Sequence, residues 1–182
     1  IEKFSFTSSP IFKSAILIRF IFLFILIDVL LKNKILNLKR FFLSSLICTS
    51  FVSFDVILQS IVGYDIFGFK SHSRWNSGPF NDELIAGSYL QKFSFFSIFC
   101  LFEIFKNKKN NKLLISLIIS LHMIAILLAG NKMPLLLFLF GFGLIFIYLK
   151  NLRQITFISS LIFIFVFALL FQTNDNIKNS YV

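Results

Sequence analysis

The chain has 182 residues, 57% of them hydrophobic and 28 of them phenylalanine, with a formal net charge of +10. A soluble domain of this length leaves too much surface in water to hide so many apolar side chains, so lipid is the expected solvent. The positive charge does not point to nucleic acid, because the basic residues lie in short loops between apolar runs and form no basic face. The sequence begins with Ile1 and stops at Val182 just after an apolar run, which reads as an internal piece of a longer protein. Residues 2–10 lack the ordered basic, apolar and cleavage regions of a signal peptide.

Six apolar runs succeed one another along the chain, at 11–31, 41–62, 84–105, 113–129, 134–149 and 155–171. Crossing a bilayer takes roughly 20 helical residues, or about 17 at the short end. Backbone in hydrocarbon must satisfy its own hydrogen bonds, so these runs are expected to be helices. The expected fold is all-α, a polytopic transmembrane helix bundle of about six spans forming one domain. Lys32, Lys34, Lys39 and Arg40 separate the first two runs; Lys106, Lys108, Lys109 and Lys112 separate the third and fourth; Lys150 and Arg153 separate the fifth and sixth. These ten of the 18 basic residues fall on alternate sides, which makes 106–112 a cytoplasmic loop and 63–83 an external one. Cys48 and Cys100 both lie inside apolar runs, as small buried hydrophobes rather than as a disulfide or a metal pair.

Ionisable groups at membrane depth are costly, and each asks for a reason. Arg19 and Asp28 lie nine residues apart in the first run, on opposite faces of a helix, so they do not pair. Asp28 instead faces Lys32 one turn later. Arg19 reads either as a cation facing an outward cavity or as a snorkelling side chain. Asp55 and Gln59 share one face of the second run near its outer end, suiting a polar cavity or an interhelical hydrogen bond. His122, midway along the fourth run, reads as a packed, hydrogen-bonded histidine. Gly141 and Gly143 lie inside a span and read as helix packing rather than a nucleotide loop. There is no metal-ligand spacing, Walker loop or nucleophile elbow, so no metal and no cofactor is expected.

The densest polar chemistry lies in RWNSGPFNDELIAGSYL, residues 74–90, which contains the single tryptophan. Asn81 or Asp82 is expected to cap the third helix, with Glu83 in its first turn, and Ser77-Gly78-Pro79 to form a turn. Those assignments leave Arg74 and Trp75 unexplained. Lys132, in the turn GNKMP, is expected on the same outer side as Arg74.

The series FDVILQSIVGYDIFGF, then RWNSGPFNDELIAGSYLQKF, then LLAGNKMPLLLFLF resembles the O-antigen ligase and O-antigen polymerase superfamily of bacterial envelope proteins. The resemblance runs from about Ile11 to Phe171 and is carried chiefly by Arg-x-x-Ser-Gly-Pro-Phe-x-x-Glu. It implies a fold similar to the membrane glycosyltransferase (GT-C-like) class and a place in the bacterial inner membrane. It also implies metal-independent, inverting transfer of a glycan from undecaprenyl pyrophosphate to an acceptor hydroxyl, either of lipid A core or of a growing polysaccharide. Arg74, Lys132 and Arg19 would then be the cations that meet the pyrophosphate, with Gln59 beside the substrate and Trp75 and Phe80 either stacked on sugar rings or, the commoner role, anchoring the loop at the lipid interface. Lys132 stands where the family has arginine, keeping the charge without the bidentate fork. The base would be Asp82 or Glu83, then Asp55 or His72; in ligases of this type it is a histidine in a larger external loop further along. The alternative reading is a polytopic transporter or flippase of lipid-linked oligosaccharide, which needs polar residues from several helices near the midplane. A third is a scaffold whose 74–90 segment docks a partner.

Overall fold

In a computed structural model the protein is described over residues 18–33, 37–72, 75–81, 83–105 and 111–173. These residues form six α-helices: α1 (Ile18–Lys32), α2 (Leu38–Val62), α3 (Ala86–Phe105), α4 (Lys112–Leu128), α5 (Lys132–Tyr148) and α6 (Arg153–Thr173). Two 3-10 turns, Gly78–Phe80 and Lys150–Leu152, interrupt the connections. Among the described residues no strand forms, and one isolated antiparallel bridge joins Tyr64 to Lys70. The fold is all-α, with one helix for each apolar run.

The chain divides into two units, Ile1–Phe41 and Phe42–Val182. In the first, Lys32 Nζ meets Asp28 Oδ2 at 2.7 Å on the exposed surface of α1, the one-turn pairing that their spacing predicts. Asn37 opens α2 by accepting the backbone N–H groups of Lys39 and Arg40 on its side-chain oxygen, a typical N-cap.

In the second unit α4 is the central helix. It packs most extensively on α6, then α3, and also meets α5. Its last turns are buried on every side through Ala125, Ile126, Leu127 and Leu128. Serines tie α4 to α6: Ser116 Oγ donates to Ile155 O at 3.3 Å, and Ser159 Oγ donates to Ser116 O at 3.3 Å. Small hydroxyl residues allow this close approach while satisfying their own polarity along the seam. Phe95 of α3 stacks on Phe138 of α5 at 5.0 Å between centroids and lies over Gly141.

The two ends of this unit differ in chemistry. At one end Lys112 Nζ donates to Gln154 Oε1 at 2.5 Å, and Arg153 donates to Phe146 O and Ile147 O, closing the C-terminus of α5. Lys150 lies at the same end, in the turn that leads to Arg153. At the other end the 63–85 connection, the last turn of α4 and the start of α5 come together.

Two helical stretches, Leu38–Val62 and Lys150–Gln172, are long and apolar enough to cross a membrane; α4 and α5 are apolar but have 17 residues each. Large apolar side chains stand outward in mid-helix, including Leu136, Phe140 and Phe165 at 60%, 68% and 66% exposure. Among the described residues no disulfide forms. Cys100 is buried as expected, whereas Cys48 faces outward from α2.

Gly141 and Gly143 separate packing from exposure. A Cβ on Gly141 would stand 2.5 Å from Phe95 Cζ, whereas one on Gly143 would meet nothing within 4 Å. Because the Phe95 ring is already held by Phe138, Gly141→Ala is expected to cost about 1–3 kcal/mol of overpacking, less about 0.5–1 kcal/mol gained in helix propensity. Gly143→Ala should keep only the gain. Thermal unfolding in detergent should therefore rank Gly143→Ala above wild type and Gly141→Ala below it.

Candidate functional site

The polar end of the second unit is built outward from α2. Gly63, with φ of +90°, ends that helix by donating to Gln59 O at 2.9 Å, and the chain turns back over the helix end. Asp55 and Gln59, both fully buried, hold the returning chain. Asp55 Oδ1 accepts from the backbone N–H of Ile66 at 2.9 Å. Gln59 Nε2 donates to Phe69 O at 3.2 Å, while its Oε1 accepts from Gly78 N at 2.8 Å. Asp65, 2% exposed, closes a local turn by accepting from Phe69 N at 2.6 Å. The four-residue spacing places both α2 side chains on one face, as the sequence predicts. Their partners are loop amides and a loop carbonyl, which makes them anchors of the loop.

Gly78 is where the loop comes closest to α2. Its φ is +55°, and a Cβ there would stand 2.8 Å from Val56 Cγ2 and 3.8 Å from Asp55 Oδ2. A side chain there would crowd the Val56 methyl and sit at a positive φ that favours glycine. Asn76 then ties the loop to α4 by donating to Leu128 O at 2.7 Å, and Asn131 ties the start of α5 to the loop by donating to Leu84 O at 3.1 Å. The rings of His72 and Trp75 lie 5.1 Å apart, and Trp75 Nε1 is buried without a partner.

The entry of the chain into α3 differs from expectation. Asn81 does not cap the helix and Glu83 is not in its first turn, because α3 starts at Ala86; Asp82, the other expected cap, lies outside the described residues. The 3-10 turn Gly78–Phe80 ends in Asn81 with φ of +56° and ψ of −124°, a positive-φ backbone that cannot continue into a helix. Glu83 N then donates to Phe80 O and Ile85 N to Glu83 O, so the acid lies in a further turn, with Glu83 exposed ahead of the helix.

The candidate residues therefore divide. Asp55 and Gln59 converge on the loop from below, Trp75 is half-buried within it, and Glu83 and Lys132 are exposed at the same end. Arg74 and Asp82 lie outside the described residues, as does the side chain of Arg19. Among the described residues no group of three or more His, Cys, Asp or Glu is arranged to hold a metal ion.

A second polar cluster lies within the helices. His122 Nδ1 donates to Ile118 O at 2.6 Å, which leaves Nε2 to accept. Ser97 Oγ lies 3.2 Å and Thr49 Oγ1 3.1 Å from Nε2. Thr49 Oγ1 also lies 2.7 Å from Ser45 O, so the Thr49 and Ser97 hydroxyl protons share the ring nitrogen and that carbonyl as acceptors. The packed histidine is as expected; its partners Ser97 and Thr49 have no local sequence signal.

Comparison with family models, with curated proteins and with solved structures gives no match for this chain.

Gln59→Leu separates anchoring from packing. Phe69 O keeps its bond from Asp65 N, but Gly78 N–H loses its acceptor in a buried place. The expected cost is about 1–3 kcal/mol. Hydrogen exchange should accelerate across 63–80 and stay unchanged in α4 and α6; uniform acceleration through all helices would contradict the anchor role.

Proposed function

We propose that this chain belongs to a multi-pass membrane glycan transferase of the O-antigen ligase and polymerase kind, working at the outer face of a bacterial inner membrane. The observation that carries the reading is the separation of the two ends of the second unit. Lys112, Lys150 and Arg153 lie at one end, while the loop anchored by Asp55 and Gln59 lies at the other, with Lys132 and Glu83 beside it. Positive charge marks the cytoplasmic side, so the built loop faces outward. The membrane setting is supported by how little of the two long apolar stretches is covered: 33% of Leu38–Val62 and 22% of Lys150–Gln172 over their most apolar windows. A core helix of a soluble protein would be mostly covered.

In this reading the acceptor oxygen attacks the anomeric carbon of the carrier-linked sugar, the bond to pyrophosphate breaks on the opposite face, and the configuration inverts. The departing undecaprenyl pyrophosphate carries away the electron pair, and its growing charge is met by Arg74 and Lys132, with Arg19 as a third cation. The acceptor proton goes to a carboxylate, Asp82 or the exposed Glu83, rather than to Asp55, which is fully buried beneath the loop. Trp75 offers a ring face and an unpartnered N–H, the two features that hold a sugar. The acceptor is lipid A core or the growing polysaccharide, and membrane lipid is the surrounding solvent. The transporter reading has less support, because the His122 cluster is satisfied by its own neighbours.

Replacing Arg74 with alanine in cells should lower attachment or lengthening of surface polysaccharide by about 10²–10³-fold, the scale of losing one transition-state charge contact. Membrane insertion should be retained. Lys132→Ala should have a smaller effect in the same direction. Wild-type polysaccharide on a gel from the Arg74 variant would remove that residue from the mechanism.

A further inference from the structure

The loop anchors leave three oxygens unaccounted for. Asp55 Oδ2, Asp65 Oδ2 and Ser77 Oγ are all buried and make no hydrogen bond, although the partner oxygen of each carboxylate is bonded to an amide. They belong to one small region. The bond from Ile66 N to Asp55 Oδ1 puts the α-carbon of the adjoining Asp65 within about 6 Å of the Asp55 carboxylate. Ser77 precedes Gly78, whose missing Cβ would stand 3.8 Å from Asp55 Oδ2. Ser77 itself is 0% exposed, as is Asp55.

Two buried carboxylates this close repel one another and have lost most of their hydration, a cost that a neutral serine does not offset. The only ion pair among the described residues is Lys32–Asp28, which belongs to the first unit. A positive charge would balance these carboxylates. Oxygen-only donors, two of them anionic, are the donor set of a hard divalent cation rather than a zinc-class metal.

We propose that Asp55 Oδ2, Asp65 Oδ2 and Ser77 Oγ form a site for a calcium-class divalent cation that pins the 63–80 loop onto the end of α2. Two carboxylates, rather than the three or more of high-affinity sites, place its dissociation constant at about 10⁻⁴–10⁻³ M, the range of extracellular modules. The cation is structural: it holds the loop that carries Trp75 and leads to Glu83, and it takes no part in bond breaking. The inference stands apart from the reaction proposed above, and its test reads cation binding alone.

The experiment uses the intact protein in nanodiscs of phosphatidylcholine. Calcium chloride at about 10 mM, compared with a chelator, should raise the unfolding temperature by roughly 3–11 °C. Terbium chloride should give emission excited through Trp75, two residues from Ser77. Asp55→Asn and Asp65→Asn should each abolish both signals, and Ser77→Ala should weaken calcium binding several-fold. No calcium effect on the wild-type protein would overturn the site, as would a wild-type response that survives both asparagine variants. A rise in wild-type stability in chelator on either asparagine substitution, with no calcium response, would instead identify a shared proton and equally overturn it. Should the asparagine variants fail to insert, Ser77→Ala decides: a full wild-type calcium response in that variant overturns the proposal.

Discussion

The side chain of Gln59 bonds two distant parts of one loop at once, taking the amide proton of Gly78 and giving its own to the carbonyl of Phe69. A carboxylate in the same place could only accept and an aliphatic residue could do neither, so the amide alone fits both ends. Buried backbone groups must be satisfied, and near the end of an apolar helix little water is at hand to do it. The loop thus takes its shape from α2: Asp55 holds the first turn, Gln59 the middle and the return, and Gly78 lets the returning chain touch Val56.

The same constraint governs the helices. Apolar faces give little preference for one neighbour over another, so register falls to small polar contacts. Ser116 and Ser159 fix α4 against α6, and the Ser97–His122–Thr49 cluster fixes α2, α3 and α4 together. Aromatic rings fill the spaces that these contacts define, as Phe95 does over Gly141.

Helix number and approximate bounds are legible in the sequence because apolar runs of span length, punctuated by lysine-rich loops, leave few alternatives. The i,i+4 pairing of Asp28 with Lys32 and the shared face of Asp55 and Gln59 are legible for the same reason, since helical spacing is a local property. The partners of His122 are not, because Ser97 and Thr49 lie 25 and 73 positions away and only tertiary packing brings them to the ring. The start of α3 departs from expectation for a different cause. Asn-Asp-Glu before an apolar run has the composition of a helix N-terminus, but the positive φ of Asn81 and the turn at Glu83–Ile85 delay the helix to Ala86. Arg74 stands out by chemistry alone, and its role rests on the function proposed for the loop.

Asn76 and Asn131 make reciprocal ties, one from the loop to the end of α4 and the other from the start of α5 back to Leu84. Gly87 sits directly against Asn131, leaving no slack between them. The two connections at this end therefore behave as a pair of interlocked hooks. Neither lifts away from the bundle without pulling on the other, so a load applied to the α4–α5 turn is felt at the threshold of α3.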